Sequence, residues 1–492
     1  MKESPAMIET SLSVIVPAYN EEYLIQESLK RLLVLGESPH LSRVQVIVVD
    51  DGSSDRTAEV VQGLFEELAG KCDKFEWIFI NHPENLGKGK AIQTALAWAT
   101  CEISIIHDAD LEYHPKDILK MIPLFCSEGA DAVYGSRFAV AEYRRILMYR
   151  HELGNRFITF ACNLISNLNL TDVETCYKAI RTDLLKSIPI MSNDFRFEIE
   201  ITMKLAKRNA RIFEVPISYS GRTYEEGKKI GWRDGLRAIW AIFKFGVSDN
   251  IFREDVFGSI ILLRLSRARR FNSWLADTIK PLVGQNVLEI GAGIGNISKE
   301  LVPRKSYCAT DVNPHYMQVV NNLKTNKPYF SVSYLDLNDV STFVESSASF
   351  DTVLCLNVIE HLDDDEQALR NIASLLEDEG RAVVLVPRGQ WLFGSQDEVL
   401  GHIRRYSEAS LKDVCEKAGL KVVKIIPFNR CSTIPWLING RVFKRRTFSR
   451  FQIFAVNLLT PILRRIDKFL PLPSLSLIAV LEKQQAASPS FE

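Results

Sequence analysis

The sequence has no excess of charge of either sign. Its 60 Lys and Arg residues stand against 61 Asp and Glu residues, so the formal net charge of the 492 residues is −1. This balance excludes a broadly basic nucleic-acid-binding protein and a protein with a long acidic tail, and we expect no nucleic-acid partner. The hydrophobic content of 46% excludes an intrinsically disordered chain.

Paired cysteine motifs and long apolar runs are missing as well. The nine cysteines include no Cys-x-x-Cys pair and no cluster with histidine, which argues against a secreted disulfide framework or a zinc ribbon. The N-terminal sequence MKESPAMIETS lacks the apolar stretch of a signal peptide, and no apolar run reaches the roughly 18 residues of a spanning helix. We therefore expect a cytoplasmic protein, with peripheral contact at the cytoplasmic membrane face as a further option.

Two apolar segments interrupted by cationic residues are the candidates for such membrane contact. They are residues 236–247 and 451–470. Each can form a helix that lies on a membrane surface or a helix that faces the core. The core-facing interpretation is favoured for both.

Two strand–turn–helix starts indicate two α/β domains, at residues 13–18 and at Asn286–Ile290. Further apolar runs without alternation are typical of parallel strands covered on both faces. Such runs lie at 44–49, 77–80, Ile103–Ile106 and 132–134. In α/β folds, ligands bind at the carboxyl ends of the strands. We predict a first domain over residues 1–250, a linker over 251–269 and a second domain over 270–492.

Carboxylates follow two predicted strands of the first half. Asp50 and Asp51 end the second strand, where an acid can bind a ribose or a base, although an ordinary helix N-cap turn explains them equally well. Asp108 and Asp110 follow the fourth strand, and such oxygen ligands suit Mg²⁺ or Mn²⁺ shared with phosphates. A cation there would neutralise a diphosphate leaving group. The alternative for this pair is a solvated turn.

The segment NLGKGKA at 85–91 is not a P-loop. A Walker A motif requires Ser or Thr after its Gly-Lys pair, and here Ala91 follows Lys90. Lys88 or Lys90 at a helix start can instead approach a diphosphate or the group attached to it. The alternative is that either is a solvated lysine.

Cationic residues follow further along the chain, and they indicate that a group released from the diphosphate would be transferred to a phosphate. A phosphate monoester has its second pKa at about 6, so at neutral pH it needs cationic partners and no general base. The candidate cations are Arg137, Lys178, Arg196 and Arg222. A hydroxyl acceptor would instead require a base, for which Glu198 and Glu200 are candidates. The alternative role of these glutamates is to pair with Arg196 or Arg211.

Six motifs occur in order within residues 11–247: VIVPAYNEE, VVDDGSSDRT, NLGKGKA, DADLEYHP, VYGSRF and FRFEIEI. As a set, they resemble family 2 glycosyltransferases of the inverting GT-A fold, in the branch of dolichyl- and polyprenyl-phosphate sugar transferases. The resemblance implies that the segment 172–178 shapes the sugar pocket and that the donor is a UDP- or GDP-sugar. It also implies that Pro17, Tyr19 and Glu21 lie beside the nucleotide. Asp50 would bind the base or the ribose, and Asp108 and Asp110 would hold the metal-diphosphate.

A glycine-rich turn opens the second half. Gly291 and Gly293 follow the strand at Asn286–Ile290, and Asp311 lies 20 residues beyond Gly291 at the end of the next strand. Glycines allow a ligand to approach the backbone, and an acid at this distance can bind the ribose hydroxyls of an adenosine. The third glycine is Gly295, one position early for the dinucleotide motif GxGxxG.

With YLDL at 334–337 and FDTVLCLNVIEHL at 350–362, the second half resembles class I S-adenosylmethionine-dependent methyltransferases, which have a Rossmann-like fold. The likeness is to the group that includes quinone-biosynthesis and small-molecule O-methyltransferases. It implies that Asp336 lies at the adenine edge and Asn357 near the methionine moiety. The other residues implied to bind the cofactor are Glu289, Gly291, Gly293 and Asp311.

The acceptor side of this second site is less defined. His361 is a candidate base for an O-methyl acceptor, or a histidine bonded locally at a helix start. His402 and Arg405 resemble acceptor-side residues of the same group, and the alternative is a surface helix.

Together the motifs predict a bifunctional enzyme. One domain transfers a sugar to polyprenyl phosphate or a glycan with the help of Mg²⁺ or Mn²⁺. The other transfers a methyl group from S-adenosylmethionine to a glycan, lipid or small molecule. The alternatives are a hydroxyl acceptor in the biosynthesis of cell-envelope polysaccharides or glycoconjugates, and a scaffold in which one domain is catalytically silent.

Overall fold

The chain divides into two compact units, the first ending at Glu254 and the second beginning at Asp255. The computed structural model describes residues 9–139, 149–221, 232–343 and 350–484. The segment predicted as a linker, 251–269, carries a helix at Val256–Ser266, which lies in the second unit.

The first unit contains a seven-stranded sheet. Its strands, β1 to β7 in chain order, are Thr10–Ala18, Leu41–Asp50, Phe75–Asn81, Ile103–Ile106, Ala132–Ser136, Lys178–Arg181 and Ile212–Pro216. Their order is β3-β2-β1-β4-β6-β5-β7. The pairs β3–β2, β2–β1, β1–β4 and β5–β7 are parallel, whereas β6 is antiparallel to both of its neighbours. The five strands predicted in this half are all present, and β6 and β7 are additional.

Helices cover this sheet. They are α1 to α8, at Ile25–Arg31, Thr57–Leu68, Lys88–Trp98, Ile122–Ser127, Tyr149–Ser166, Thr182–Ser187, Phe197–Lys207 and Trp232–Val247, with 3-10 turns at Leu32–Glu37 and Pro115–Lys120. Residues 44 and 46–49 of β2 are fully buried because helices lie on both faces, which explains why the strand is apolar without alternation. The register pairs Ala18 with Asp50 and Ile15 with Ile106, so the carboxyl ends of β1, β2 and β4 lie at one edge.

The second unit contains another seven-stranded sheet. Its strands, β8 to β14, are Asn286–Ile290, Ser306–Asp311, Phe330–Tyr334, Phe350–Leu356, Leu376–Pro387, Leu420–Phe428 and Ser476–Lys483. The order is β10-β9-β8-β11-β12-β14-β13. The neighbours from β10 to β12 are parallel, and β14 is antiparallel to β12 and β13. The α/β class predicted for both units is confirmed.

Helices α9 to α17 complete the second unit. They are Val256–Ser266, Arg269–Ile279, Ser298–Leu301, Pro314–Asn321, Asp365–Ser374, Ser395–Leu400, Glu408–Lys417, Thr433–Leu437 and Arg450–Ile466. A π-helical segment lies at Ile438–Val442, and 3-10 turns lie at Lys280–Leu282, Asn322–Lys324, Val340–Thr342, Ile359–His361, Gln390–Leu392 and Asp467–Phe469.

The two cation-interrupted apolar segments form α8 and α17, and the favoured core-facing interpretation is wrong for one face of each. α8 buries Ile242 and Phe245 but leaves Trp240 54% exposed, and α17 buries Ile453 but leaves Phe451 77% exposed. Both helices therefore carry an apolar face that the described part of the chain does not cover. Among the described residues, no helix combines the length and the apolarity that a bilayer crossing requires.

Candidate functional sites

The carboxyl edge of the first sheet borders a cavity of about 490 Å³. Pro17, Tyr19 and Glu21 line it from the end of β1, and Asp108 and Asp110 line it from the end of β4. Parallel strands with adjacent carboxyl ends bring these two distant parts of the sequence together. The residues that the sequence placed beside the nucleotide and the diphosphate thus share one cavity.

The two carboxylates at the end of β2 differ in their surroundings. Asp50 is 1% exposed and accepts a hydrogen bond from the backbone N–H of Ser53 at 3.2 Å. Asp51 lines the cavity, accepts from the N–H of Gly87 at 2.7 Å and is bonded to Nδ1 of His82 at 2.8 Å. Asp51 thus organises the cavity wall, and a contact of Asp50 with the base or ribose stays a prediction. Both acids end the same strand, so the sequence alone could not separate their roles.

Lys88, the first residue of α3, lies between two acids. Its Nζ is 2.8 Å from Oδ1 of Asp108 and 3.3 Å from Oε1 of Glu198. Burial opposes the charged form of Lys88, but Asp108 and Glu198 outweigh it and hold the pKa of Lys88 well above its usual value. The side chain is only 12% exposed, so the solvated-lysine alternative is wrong for Lys88. Lys90 is not among the residues that line the cavity.

Gly87 sets the position of Lys88. Its φ is +95°, and a side chain there would approach the carbonyl oxygen of Asn193 at 2.3 Å. Only glycine permits both this conformation and this contact. The start of α3 therefore packs directly on the segment that precedes α7, and Lys88 is directed into the cavity.

Glu198 and Glu200 have lysine partners. Oε2 of Glu198 lies 3.0 Å from Nζ of Lys178, so that Glu198 is held between Lys178 and Lys88. Glu200 pairs with Lys204 and accepts from the N–H of Ser192 at 2.7 Å. The alternative role of these acids, pairing with an arginine, is therefore wrong. Both acids are paired, but with lysines. Glu198 lines the cavity, whereas Glu200 does not.

Two of the predicted phosphate-binding cations line the cavity. Arg137 makes a forked pair with Asp172, with Nε 2.7 Å from Oδ2 and Nη2 2.8 Å from Oδ1. Burial disfavours its charge, but Asp172 outweighs this effect and raises the pKa of Arg137 well above its usual value. Arg196 also lines the cavity and donates to Asp194 at 2.8 Å.

The other two predicted cations do not line the cavity in the described part of the chain. Lys178 is fully buried, and its Nζ donates to the carbonyl of Val173 at 2.8 Å as well as pairing with Glu198. Its role is therefore to support Glu198. Arg222 lies outside the described residues.

Glu174 is a cavity residue that the sequence analysis named only as part of the segment 172–178. Loss of solvation raises its pKa to about 7, with Lys178 acting in the opposite direction. Its Oε1 has no hydrogen-bond partner among the described residues. Nothing in the local pattern separates this acid from an ordinary turn residue, so only the fold shows that it faces the cavity.

The glycine turn of the second unit lies beside Asp311, as its spacing predicts. Gly291 and Gly293 have φ of +71° and +56°, and the N–H of Gly293 donates to Oδ2 of Asp311 at 2.8 Å. Glu289 is buried and accepts from Oγ of Ser298 at 2.5 Å and from the hydroxyl of Tyr307 at 2.8 Å. Its carboxylate therefore joins β8 to β9 and to the helix after the turn.

The remaining predicted cofactor residues lie at the carboxyl ends of the neighbouring strands. Asp336, just after β10, is partly exposed and accepts from the N–H of Asn338 at 2.9 Å. Asn357 follows β11 directly, is exposed and has a positive φ of 55°. Because β10, β9, β8 and β11 are adjacent and parallel, these residues share one edge with the glycine turn.

His361, His402 and Arg405 lie beside this edge. Nδ1 of the exposed His361 is 3.2 Å from the carbonyl oxygen of Gly401, which lies 40 residues further along the chain. This contact is not the local bond of the alternative role, and a role of His361 as a base stays a prediction. His402 and Arg405 are buried in a non-helical segment, and both are bonded to Asp397 at 2.8 Å. The surface-helix alternative for these two residues is wrong.

Comparison with known families identifies both units. The sequence model of glycosyl transferase family 2 matches residues 13–188, and that of a methyltransferase domain matches residues 262–425. The chain is a family 2 glycosyltransferase joined to a methyltransferase. The glycosyltransferase unit has the GT-A-like fold and the methyltransferase unit the Rossmann-like fold that the motifs implied. The families are those of enzymes that transfer sugars and, with S-adenosylmethionine, methyl groups.

Individual relatives are similar to one unit or to a larger part of the chain. The UDP-N-acetylglucosamine–dolichyl-phosphate N-acetylglucosaminyltransferase of Methanococcus voltae is 28% identical over 43% of this chain and 86% of its own length. The undecaprenyl-phosphate 4-deoxy-4-formamido-L-arabinose transferase of Edwardsiella ictaluri is 23% identical over 64% of this chain and 95% of its own. An N-methyltransferase of Bradyrhizobium japonicum, solved with S-adenosyl-L-homocysteine, aligns to 43% of this chain and 84% of its own with 16% identity and a TM-score of 0.29.

Proposed function

We propose that the glycosyltransferase unit transfers a sugar from a UDP- or GDP-sugar to a polyprenyl phosphate. The methyltransferase unit in turn methylates a glycan, lipid or small-molecule acceptor with S-adenosylmethionine. The observation that carries the first part is that one cavity is lined both by the carboxylates Asp108 and Asp110 and by the arginines Arg137 and Arg196. Acids suit a metal-diphosphate, and arginines suit an anionic acceptor.

The donor side fits Mg²⁺ or Mn²⁺ through its donor set. Asp108 and Asp110 supply carboxylate oxygens at the edge of the cavity, and the side chain of Asp108 is partly exposed. When bound, the cation would neutralise the negative charge of the departing nucleoside diphosphate. Lys88, fixed beside Asp108, adds a second positive charge on the same side.

The acceptor side favours a phosphate over a hydroxyl group. Glu198, the predicted base, is held between Lys88 and Lys178, so both of its oxygens are engaged in ion pairs. Arg137 keeps its charge beside Asp172 and presents a cation that needs no proton transfer. A phosphate acceptor uses both features, because it is already ionised at neutral pH. The names of the two polyprenyl-phosphate transferases similar to this chain point to the same acceptor class.

The rim of the cavity offers a surface for the lipid. α5 and α8 pack together and both line the cavity, through residues such as Ile158 and Ala238. Each exposes apolar residues at helical spacing: Leu153, Phe157, Phe160 and Leu164 on α5, and Leu236, Trp240, Phe243 and Val247 on α8. Helices of this kind lie in the interface of a bilayer. We infer peripheral membrane contact here, which would place the phosphate of a prenyl chain at the cavity.

The methyltransferase unit has an apolar face of the same type. α17 exposes Phe451, Phe454, Leu458 and Ile462, and its last turn carries the exposed cations Arg464 and Arg465. Anionic lipid surfaces attract such cations next to apolar side chains. This face supports a methyl acceptor that is itself at the membrane, such as a glycolipid.

A second candidate acceptor for the sugar is a hydroxyl group, and Glu174 is the observation that favours it. A carboxyl group with a pKa of about 7 in the cavity is suited to accept a proton at neutral pH. Glu174→Gln separates the two acceptors. Transfer to polyprenyl phosphate is expected to survive this substitution, whereas transfer to a hydroxyl acceptor should collapse.

The decisive experiment supplies the full chain with radiolabelled UDP- and GDP-sugars, Mn²⁺ and vesicles that contain undecaprenyl phosphate. We expect one donor to yield a labelled lipid product that depends on both the prenyl phosphate and Mn²⁺. Product that forms equally well with a soluble hydroxyl acceptor and without the prenyl phosphate would contradict the proposal. Absence of any thermal shift with GDP or UDP plus Mn²⁺, or with S-adenosylmethionine, would instead support the scaffold alternative.

A further inference from the structure

The methyltransferase unit holds a cluster of one carboxylate and two imidazoles beside its cofactor residues. It consists of Glu360, His361 and His402, and one candidate ligand atom of each lies within 4.8 Å of the other two. Glu360 and His361 belong to the 3-10 turn after β11, and His402 follows α14. A hydrogen bond of 2.9 Å from the N–H of Ile403 to the carbonyl of Glu360 holds the two segments together.

Glu360 is the member of the cluster that lacks a partner. Its side chain is fully buried, and neither carboxylate oxygen has a hydrogen-bond partner among the described residues. Arg405 acts on it electrostatically, but the Nε–H of Arg405 donates to Asp397 at 2.8 Å. Folded proteins seldom leave a buried carboxylate without a bonded partner, because such a group is strongly destabilising. A cation bound beside Glu360 would supply the partner that the described residues do not.

His402 is oriented toward this carboxylate. Its Nδ1 is bonded to Oδ1 of Asp397 at 2.8 Å, which leaves Nε2 as the nitrogen with a free electron pair. Nε2 lies 3.8 Å from Oε1 of Glu360, too far for a hydrogen bond. An electron pair and a carboxylate that face each other repel unless a positive charge lies between them. A carboxylate behind the imidazole is also how proteins orient metal-binding histidines.

His361 completes the cluster on its exposed side. Its Nδ1 lies against the carbonyl oxygen of Gly401, and a proton donated to that oxygen leaves its Nε2 as the basic nitrogen. The rings of His361 and His402 are nearly perpendicular, with centroids 4.9 Å apart. The exposure of His361 leaves the cluster open on one side.

The cluster also adjoins the cofactor residues. Asn357 and Val358 lead from β11 into it, and a side chain placed at Gly291 would meet Val358 at 2.4 Å. The segment that carries Glu360 therefore lies directly against the glycine turn. A ligand held by the cluster would sit at the same edge of the sheet as the predicted cofactor site.

We propose that Glu360, His361 and His402 bind a divalent transition-metal ion such as Zn²⁺ or Mn²⁺, and that Asp397 orients His402 for it. Two imidazoles and one carboxylate suit such ions better than Mg²⁺ or Ca²⁺, which prefer oxygen ligands. Three protein ligands leave room in the coordination sphere for water or for an oxygen of another molecule.

The proposed methyl transfer suggests what that oxygen is, and this part of the inference rests on the proposed function. A hydroxyl acceptor coordinated to the ion would lose its proton to solvent more readily. The oxygen electron pair would then form the bond to the methyl carbon while the carbon–sulfur bond of S-adenosylmethionine breaks and its electrons remain on sulfur. His361, predicted as a base from the sequence, is a ligand in this scheme.

Metal binding by the full chain, stripped with a chelator, tests the site without any turnover. The chain carries Asp108→Asn and Asp110→Asn, so that the expected cation site of the glycosyltransferase unit is removed. Equilibrium dialysis with Zn²⁺ and the visible absorption of Co²⁺ are the measurements. We expect one bound ion per chain and Co²⁺ bands typical of imidazole ligands. Absence of binding would overturn the proposal.

Substitutions within the cluster provide the second part of the test. Glu360→Gln, His361→Gln and His402→Gln should each weaken Zn²⁺ binding by more than about 100-fold, and Asp397→Asn by about 10- to 100-fold. Glu398→Gln, an exposed neighbour in α14, is the matched control and should change nothing. Wild-type affinity in the Glu360 and His402 variants would overturn the proposal.

Retention of S-adenosylmethionine binding shows that a variant is folded. If the buried variants lose this binding too, His361→Gln decides, because its side chain is exposed, and unchanged affinity in that variant overturns the site. A chain that binds the ion through the cluster but methylates no hydroxyl acceptor would contradict the proposed methyl transfer and leave the metal site in place.

Discussion

Glu198 and Glu360 are buried glutamates at the carboxyl edges of the two sheets, and they differ in the groups that surround them. Glu198 lies within 3.3 Å of the ammonium groups of both Lys88 and Lys178. Glu360 has no bonded partner among the described residues, and burial raises its pKa to about 8. A buried carboxylate is either neutralised by the chain itself or requires something from outside the chain. The first site is neutralised by the chain's own lysines, whereas Glu360 must take a proton or a cation from outside the chain.

The largest expected effect comes from removing a lysine behind Glu198. Lys178→Met leaves the carboxylate with only one cationic partner, and breaking a buried ion pair costs about 3–5 kcal/mol in the free energy of unfolding. Urea denaturation followed by hydrogen exchange of peptides from the glycosyltransferase unit measures this cost. Lys116→Met, at an exposed position, is the control. Equal stability of the two variants would show that Glu198 is not neutralised by Lys178.

Asp108→Asn tests the acid that shares Lys88 with Glu198. Loss of a ligand of the cation that would neutralise the leaving diphosphate should lower the rate of sugar transfer by about 10²- to 10³-fold. Binding of S-adenosylmethionine by the other unit should stay unchanged, which serves as an internal control. A rate within threefold of wild type (roughly 0.7 kcal/mol) would remove Asp108 from the reaction.

Glu198→Gln and Glu360→Gln make the comparison direct. We expect Glu198→Gln to destabilise its unit, because two buried lysines lose their shared carboxylate. In metal-free buffer at pH 8, Glu360→Gln should be neutral or stabilising by about 1 kcal/mol, since it removes an unpartnered buried charge. Thermal unfolding of both variants beside wild type measures the difference. Destabilisation of both variants by the same amount would show that the two carboxylates do not differ in how they are neutralised.

The smallest effect concerns pH and Glu174. Loss of solvation raises its pKa to about 7 from an ordinary value of 4.5, so the folded state favours the protonated form. Its contribution to stability is therefore fully present below about pH 4.5 and is lost as the pH rises toward 7. Glu174→Gln should flatten the decline of unfolding free energy between these pH values. An unchanged slope would show that Glu174 is ionised throughout this range.

The sequence predicted the strand-end residues well because their positions follow from local pattern. Apolar runs marked the central strands of both sheets, and acids or glycines directly after them had to lie at a carboxyl edge. Asp108 and Gly293 were found in this way, whereas Pro17 was implied by the family resemblance. The same pattern placed Asp311 beside the glycine turn, since two adjacent parallel strands bring their ends together.

The partners of these residues could not be predicted. That Lys88 and Lys178 share Glu198 depends on how α3, β6 and α7 pack, and no spacing in the sequence encodes that packing. The assignment of Asp51 rather than Asp50 to the cavity wall, and the exposed faces of α8 and α17, depend on the same level of structure. Side-chain burial is a property of all neighbouring elements at once, so a local pattern cannot supply it.

The sequence by itself thus determined that this chain combines two α/β units, one with motifs for a nucleotide-sugar and one with motifs for S-adenosylmethionine. Strand hydrophobicity and turn chemistry are local, and they are sufficient for that conclusion. Only the tertiary structure decided which charges are neutralised. It brought two lysines to Glu198, and it left Glu360 beside two histidines without a hydrogen-bonded partner among the described residues. The sequence does not predict this difference, because contacts between distant segments decide which buried charges are neutralised.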